Sequence, residues 1–497
     1  MSSSKSSQEH SKKASGDEER LGFDLLYQLS HLSAVAAAGI PRNQLFRIAG
    51  ELPCSTAAYF SEIDRIAQNL NYQYAEACRI VGESAKSQVV KSLLLRLASS
   101  LATGEELMDF MSREAQVQAE AYGNIYEGRL ESLKKWTDAY VAMQVSVALI
   151  VVVAAISTVI YNMGTGFVVG LVVVMAGISA LASWIIYRTA PRESKTLNGL
   201  EGHKSQRIPR LFFIGLFPAT LVVGTLMSVV GAPLSFIMMV AGVMLAPIGF
   251  VAWRLDRAVN QADSEMSTFL RTLGSTASAI QTTPADAMER MDLRSTGAIS
   301  QKVEQLHTAL RSRINPTLCW MRFVADTGSE LISRGAHIFL DGINLGGDPE
   351  EIGDRASLLT TKVSFLRAKR RLVASSFGWL ALIMHAVIVF LLVFVVQIVA
   401  GFGKMVQLAG ASDLASGSGP ELSSLLSFNF ENMEFIQWLL VPVVLFLCVI
   451  NAVTPKIAEG SYIHKVFLYM SVTLFTAGLA WEAGPKLAGT MFNMAPI

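Results

Sequence analysis

The chain alternates twice between polar and apolar sequence. A polar stretch at 21–138 precedes an apolar stretch at 139–254, and a second polar stretch at 255–371 precedes apolar sequence at 372–497. Within the polar stretches, apolar residues recur at the three- and four-residue spacing of one helix face, without the alternating Val, Ile and Thr runs of a sheet. The pattern predicts two helical modules, each followed by membrane-spanning helices.

The apolar sequence is long enough for seven spans. No Asp, Glu, Lys, Arg or His lies between Asp138 and Arg188 or between Arg210 and Arg254. Each gap is long enough for two helices of about 20 residues. A helix is the only single segment that satisfies all of its own backbone hydrogen bonds in lipid. The predicted spans are 140–161, 167–187, 211–230, 234–253, 372–400, 435–453 and a short seventh at 466–481.

Basic residues predict which ends face the cytoplasm. The connector 188–210 carries six Lys and Arg residues, whereas the turns at 162–166 and 231–233 carry none. Because Lys and Arg gather on the cytoplasmic side of short membrane loops, the connector is predicted to be cytoplasmic. Alternation then places the N-terminus and both modules in the cytoplasm, and the loop 401–434 and the C-terminus outside.

Glycine and proline punctuate the two modules. In the first module an apolar stripe ends at Leu101, and Gly104 follows where a helix is expected to stop. A second helix is predicted from Glu105 into the membrane. In the second module apolar stripes end before Pro284 and before Pro316. We interpret the stripes as the cores of two helical bundles, so the predicted class is an all-α, multi-span membrane protein.

Composition agrees with this class. The chain has 497 residues, of which 52% are hydrophobic and 16% charged, and a mean hydropathy of +0.41. A net charge of +1 gives no strong field for nucleic acid. Residues 1–20 are rich in Ser, Lys and Glu without an apolar run, which predicts a disordered tail and no signal peptide.

No motif of catalysis is present in the sequence. There is no G-x-x-x-x-G-K-[ST] phosphate loop, no H-E-x-x-H pair and no G-x-S-x-G elbow, and the four cysteines are isolated. We therefore expect no enzyme activity, no cofactor and no metal. His337 and Asp341 lie four residues apart and are interpreted as a stabilising pair. His385, inside span five, is interpreted as a neutral imidazole hydrogen-bonded between helices.

Three segments of the first module resemble a known family. They are 97–111, which contains Gly-Glu-Glu-Leu, 126–133 and 138–140. The chain from about Leu21 onward is similar to the type II secretion F-domain family, in its archaeal branch of archaellum and type IV pilus assembly platforms. In the second copy, Gly-Asp-Pro-Glu-Glu-Ile at 347–352 replaces the first motif.

This resemblance implies a platform in the cytoplasmic membrane. Pilin or archaellin subunits would leave the lipid bilayer on it, a cytosolic hexameric secretion ATPase would drive it, and it would work as a homo-oligomer, a dimer or trimer. Adhesion pilus and rotating filament systems share this layout, and the sequence does not decide between an archaellum, an adhesion pilus and a secretion pseudopilus. The alternative from the residues alone is a transporter or channel with cytosolic regulatory helical domains, a class that keeps ionisable residues within its spans.

Two groups of charged residues are candidates for contacts. Acidic helix starts, each with an arginine further along the helix, are predicted to contact the ATPase: Glu105, Glu106, Arg113, Glu350, Glu351 and Arg355. In the alternative interpretation, these glutamates are exposed to solvent and only interact favourably with the helix dipole. A basic run ahead of span five is predicted to lie at the membrane surface and contact lipid headgroups: Arg367, Lys369, Arg370 and Arg371.

Overall fold

The computed structural model describes residues 3–161, 165–193, 195–197, 204–416 and 433–493. Over those ranges the chain is helical, without a β-strand and with one isolated bridge between Thr196 and Ser329. The all-α prediction is confirmed. The chain divides into two compact units, of which the first contains Met1–Arg129, Pro191–Arg207 and Leu255–Lys369, and the second Leu130–Ala190, Ile208–Arg254 and Arg370–Ile497.

The first unit begins with the first module. Its helices are α1 Ser3–Ala37, α2 Arg42–Glu51, α3 Ala57–Asn69, α4 Tyr74–Ser84, α5 Gln88–Thr103 and the start of α6 Leu107–Tyr161. Their apolar faces meet in one core that includes Leu29, Phe46, Phe60 and Leu94. The bundle predicted from the stripes is therefore present, and each short helix is held mainly by the face it buries.

The start of α1 differs from the sequence-based prediction. The helix begins at Ser3, inside the segment 1–20 that composition predicts to be disordered. Lys, Glu, Gln and Ala in this segment are good helix formers, which a composition argument for disorder does not weigh. Side chains are described from Arg20 onward.

The second module also lies in the first unit. Its helices are the later part of α9 Leu234–Ala279, then α10 Pro284–Arg290, α11 Ser300–Arg311, α12 Pro316–Thr327, α13 Glu330–Asn344 and the start of α14 Pro349–Ser416. Pro284 and Pro316 begin helices, the position where a missing amide hydrogen costs nothing. Its core contains an aromatic cluster of Phe269, Trp320 and Phe339.

Residues of the two modules pack against each other. Helix α1 of the first module contacts α13 of the second. Leu358, near the start of α14, packs on the first module's core. A Cβ added at Gly347 would lie 3.3 Å from the Cα of Ala38, so the chain of the second module approaches the end of α1 closely. The two copies therefore form one compact unit, although the sequence-based domain bounds stay predictions.

Residues 195–197 of the connector between α7 and α8 lie along the second module. Thr196 forms an isolated antiparallel bridge with Ser329. The amide of Leu197 donates to the carbonyl of Gly328 at 3.3 Å, and the amide of Glu330 donates to the carbonyl of Lys195 at 3.1 Å. The described part of this basic segment is thus held by backbone hydrogen bonds.

The second unit is a bundle of long apolar helices. They are α7 Thr165–Thr189, α8 Lys204–Val229, α15 Met433–Glu459 and α16 Val466–Asn493, together with parts of α6, α9 and α14. Helix α15 packs against both α7 and α16. A Cβ at Gly242 of α9 would lie 2.8 Å from the Ser471 carbonyl of α16, so only glycine permits that approach.

Six described helices are long and apolar enough to cross a membrane, in agreement with predicted spans two to seven. The helical ranges that contain these apolar stretches are Val169–Thr189, Ile208–Val229, Leu234–Ala279, Pro349–Ile398, Trp438–Glu459 and Ile463–Thr490. Predicted span one lies in α6, where many side chains fall outside the described residues. Helix α14 continues to Ser416, past the predicted end of span five at Ala400, so the predicted loop begins inside a helix. The rest of that loop, 417–432, lies outside the described residues.

The predicted orientation is tested by cysteine labelling at chosen exposed sites. Cys78 and Cys319 are buried, and burial raises the pKa of Cys78 to about 12 and also raises that of Cys319. Because the thiolate is the reactive form, these native thiols will label slowly wherever they lie. Ser99→Cys in the first module and Ser312→Cys in the second replace exposed side chains in a background without native cysteines.

We expect a membrane-impermeant maleimide to label both introduced cysteines only after the cells are opened, because both modules are predicted to be cytoplasmic. Labelling of either site in intact cells would contradict the predicted orientation. Labelling of the two sites from opposite sides would show that the number of spans between the modules is odd.

Candidate functional site

The first acidic helix start lies at the break between α5 and α6. Gly104 ends α5 with φ of +76°, in the left-handed region that favours glycine. Glu105 and Glu106 follow it, and α6 begins at the next residue. Arg113, two turns along α6, forms an ion pair with Glu105. Glu106 and Arg113 are exposed, so this start presents charge of both signs to its surroundings.

The second acidic helix start lies at the beginning of α14. The carboxylate of Asp348 accepts a hydrogen bond from the amide of Glu351 at 3.3 Å and so caps the helix. Glu350 is exposed, and Glu351 forms an ion pair with Arg355 one turn later. Both glutamates lie in the first turn, where negative charge is favoured by the helix dipole.

A groove lies between α6 and the second acidic helix start. Its volume is about 440 Å³, and we call it the α6–α14 groove. Glu351 and Arg355 line it from α14, and Ser112 and Gln116 line it from α6. The other four candidates lie outside its lining: Glu105, Glu106, Arg113 and Glu350. The groove therefore joins the second acidic helix start to α6, and the candidates of the first acidic helix start do not line it.

The basic run ahead of span five does not form one surface. Arg367 is 2% exposed, and its guanidinium donates to Glu193 of the connector and to Asp263 of α9, each at 2.8 Å. Asp263 also accepts from the hydroxyl of Ser329, the cap residue of α13. Arg367 therefore holds together the connector, α9 and α14 within the first unit, and the prediction of a headgroup contact is wrong for this residue.

The other members of the run differ from one another. Arg370 is 3% exposed and donates to the carbonyls of Ala458 and Ile457 at the end of α15, so it too is shielded by protein. Lys369 is half-buried and forms a 2.7 Å ion pair with Glu127. Arg371 is half-buried as well. Only Lys369 and Arg371 keep the partly open positions that the headgroup prediction needs.

A polar cluster lies where α1 of the first module meets α13 of the second. Nε2 of His31 lies 2.8 Å from Oδ2 of Asp341, and Nδ1 of His337 lies 3.5 Å from the same oxygen. The two imidazole rings stack with centroids 5.6 Å apart. The hydroxyl of Tyr27 lies 3.0 Å from Nδ1 of His337. We call His31, His337 and Asp341 the His–His–Asp cluster; it joins residues that are 310 positions apart in sequence.

Arg334 stands beside this cluster. Its guanidinium lies 4.4 Å from the ring centre of Tyr27 and 5.5 Å from that of Phe23. It forms ion pairs with Glu330 at 2.9 Å and with Asp24 at 3.6 Å. Arg334, Phe23, Asp24 and Glu330 also line a cavity of about 940 Å³. The positive charge of Arg334 is therefore balanced by two carboxylates.

Burial and hydrogen bonding set the charge states in the cluster. Removal from water lowers the pKa of His337, which favours the neutral ring at neutral pH. Burial by itself would raise the pKa of Asp341, but the hydrogen bond from His31, together with the attraction of each imidazole when it is protonated, outweighs it, so that this pKa is lowered. The cluster thus combines an ionised carboxylate with at least one neutral imidazole.

His385 of α14 is held at both ring nitrogens. Nε2 donates to the carbonyl of Thr473 at 3.2 Å, and Nδ1 accepts from the amide of Asn451 at 3.1 Å. The oxygen of Asn451 accepts in turn from the hydroxyl of Tyr140. This pattern requires the neutral tautomer with its proton on Nε2. The sequence-based interpretation of a neutral, hydrogen-bonded histidine between helices is confirmed.

Several of these residues were missed by sequence reasoning. Asn451 gave a usable signal, because an amide inside an apolar span needs a hydrogen-bonding group from another helix. Glu193, Asp263 and His31 gave none, since charged and polar residues are ordinary in polar segments. Only the fold reveals that the first two pair with Arg367 and that the third meets Asp341.

Comparison with curated proteins finds two relatives. The chain is similar to the protein named "Flagella accessory protein J" of Methanocaldococcus jannaschii, with 24% identity over 455 residues, which are 86% of this chain and 77% of that protein. It is similar to a protein of the same name from Methanococcus voltae, with 24% identity over 295 residues, 57% of this chain and about half, 53%, of that protein. No protein-family model matches the chain, and no solved structure matches it.

Substitution of Arg367 tests whether the basic run is structural. Arg367→Met leaves the carboxylates of Glu193 and Asp263 buried without their cation, so we expect the free energy of unfolding to fall by about 3–5 kcal/mol. The change is measured by thermal unfolding of the purified chain in detergent, in which the loss of monodisperse protein is monitored as the temperature rises.

Lys369→Met is the matched control, because it removes the same charge two residues along the same helix. The side chains of Lys369 and Glu127, which form its ion pair, are 41% and 42% exposed. Ion pairs this exposed contribute little to the free energy of unfolding. Equal loss of thermal stability in the two variants would contradict the structural role of Arg367.

Proposed function

The chain is a homologue of the proteins named Flagella accessory protein J, and on that basis we propose that it is a membrane-embedded assembly platform for an archaellum or an archaeal type IV pilus-like filament. The observation that carries this proposal is similarity over 86% of the chain, which is too long a match to come from apolar spans alone. The all-helical fold with six described helices suited to a membrane is consistent with it.

We propose further that a cytosolic hexameric secretion ATPase drives the platform and that pilin or archaellin subunits leave the bilayer on it. The sequence contains no phosphate loop of its own, so the energy would come from such a motor. The modules and the N-terminus would lie in the cytoplasm of a multi-pass protein, which would work as a homo-oligomer.

The α6–α14 groove is the proposed contact surface for the ATPase. Helix α14 begins beside it, α6 lines it from Ser112 onward, and each continues as one helix into predicted spans five and one. A movement imposed at the groove would therefore act directly on helices that enter the membrane. Glu351 and Asp354 line it together with Arg271, Arg355 and Lys362, so the groove offers charge of both signs for pairing with a motor surface.

The transporter alternative depends on an ionisable group in a span that is able to exchange protons or bind ions. His385 lies in span five, and both of its ring nitrogens are hydrogen-bonded to protein groups. Protonation of Nδ1 would break the bond from Asn451 and place a charge in an apolar bundle. This arrangement supports a structural histidine and therefore favours the platform.

Charge reversal at the second acidic helix start tests the docking proposal. The double change Glu350→Lys, Glu351→Lys should reduce co-purification of the cognate secretion ATPase with the detergent-solubilised chain. We expect about tenfold less bound ATPase, equivalent to about 1.4 kcal/mol of binding free energy.

The matched control reverses two glutamates elsewhere in the same unit. Glu76 and Glu83 on α4 are paired with Arg79 and exposed to a similar degree, so Glu76→Lys, Glu83→Lys makes the same change in net charge. ATPase binding should stay at the wild-type level in this control. If the folded Glu350→Lys, Glu351→Lys variant bound the ATPase at the wild-type level, the docking proposal would be contradicted.

A further inference from the structure

The His–His–Asp cluster offers three ligand atoms to one point in space. Nitrogen atoms of His31 and His337 and a carboxylate oxygen of Asp341 all lie within 4.8 Å of one another. His337 and Asp341 are four residues apart on α13, a spacing that puts both side chains on the same helix face. His31 reaches the same point from α1.

One of the ligand-atom distances is that of a tetrahedral metal centre. Zinc bonds of about 2.0–2.2 Å to nitrogen and oxygen place neighbouring ligand atoms roughly 3.3–3.5 Å apart. Nδ1 of His337 and Oδ2 of Asp341 already have this separation, at 3.5 Å. Nε2 of His31 lies at 2.8 Å from the same oxygen, so this contact has to open by about 0.6 Å when an ion replaces the shared proton.

The hydrogen bonding of His31 differs from that of a purely structural histidine. His385 is held at both ring nitrogens by protein groups. His31 is fully buried, and its Nε2 contacts only the carboxylate of Asp341, while its Nδ1 has no hydrogen-bond partner among the described residues. Two imidazole nitrogens that face one carboxylate oxygen form a ligand set that suits zinc, and coordination through Nε2 of His31 would move the ring proton to Nδ1, where a water would have to accept it.

The surroundings allow an ion to enter and remain. The side chains of His337 and Asp341 are 47% and 32% exposed, which leaves a route from solvent and room for a water as a fourth ligand. Arg334, the nearby cation, is already paired with Glu330 and Asp24. Two imidazoles with one carboxylate suit zinc and its transition-metal neighbours, whereas magnesium and calcium prefer oxygen ligands alone.

We propose that His31, His337 and Asp341 bind one divalent transition-metal ion of the zinc type, which links helix α1 of the first module to helix α13 of the second. The sequence-based expectation of no metal rested on local ligand spacing, and this ligand set is divided between the two modules. The inference does not depend on the proposed function, because it concerns the contact within the first unit.

Cobalt(II) is the probe for the test, because tetrahedral cobalt gives visible d–d absorption. The full chain, purified in detergent without a polyhistidine tag and stripped with chelator, is titrated with cobalt(II) and then with zinc(II). We expect a tetrahedral spectrum at about one ion per chain, displaced by zinc. Zinc should also raise the midpoint of thermal unfolding. Absence of the spectrum and of zinc in the dialysed protein would overturn the proposal.

Substitution of the half-exposed ligand separates this site from other binding. His337→Gln should abolish the spectrum and the thermal shift, whereas His307→Gln, on α11 of the same module, should leave both at the wild-type level. Unchanged cobalt binding by His337→Gln would place the ion elsewhere and overturn the assignment.

Tyr27→Phe gives an outcome that misfolding does not imitate. The Tyr27 hydroxyl occupies Nδ1 of His337 at 3.0 Å, whichever atom carries the proton, and therefore competes with an ion for that nitrogen. Its removal should tighten zinc binding about three- to tenfold, the net effect of one hydrogen bond. Weaker or unchanged binding in the folded Tyr27→Phe variant would contradict coordination through Nδ1.

Discussion

A buried guanidinium must be paired, and the pairing of Arg367 organises the second module. Its two carboxylate partners come from the connector and from α9, and Asp263 also receives the hydroxyl of Ser329 at the cap of α13. A charge taken out of water without such partners would cost several kcal/mol. This one side chain therefore fixes where the connector, α9, α13 and α14 meet. Backbone hydrogen bonds also hold the connector against the start of α13.

Local patterns predicted the helices, and distant pairings escaped them. Gly104, Pro284 and Pro316 marked helix ends correctly because glycine and proline act through their own backbone. The basic run was misread in part, because nothing near Arg367 indicates that Glu193 and Asp263 fold onto it. The His–His–Asp cluster was missed for the same reason, since its members lie on opposite modules. Only the i, i+4 pair of His337 and Asp341 was visible in sequence.

The two polar stretches of the sequence correspond to two helical modules in the structure. The two modules share the plan of an acidic start on a helix that continues into a predicted span, yet the starts differ: Glu105 precedes its helix, whereas Glu351 lies within the first turn behind the cap of Asp348. Residues of the two modules pack in one compact unit, in which α1 contacts α13. In the second unit, Asn451 of α15 connects Tyr140 and His385 by hydrogen bonds.

The central claim is that filament subunits need this chain in order to assemble. Electron microscopy of a strain that lacks the gene, compared with the same strain carrying a plasmid copy, tests it most directly. The account predicts that the deletion strain makes filament subunits and retains them in its membrane without surface filaments, and that the plasmid restores the filaments. Filaments that persist in the deletion strain, with solute uptake lost instead, would contradict the account.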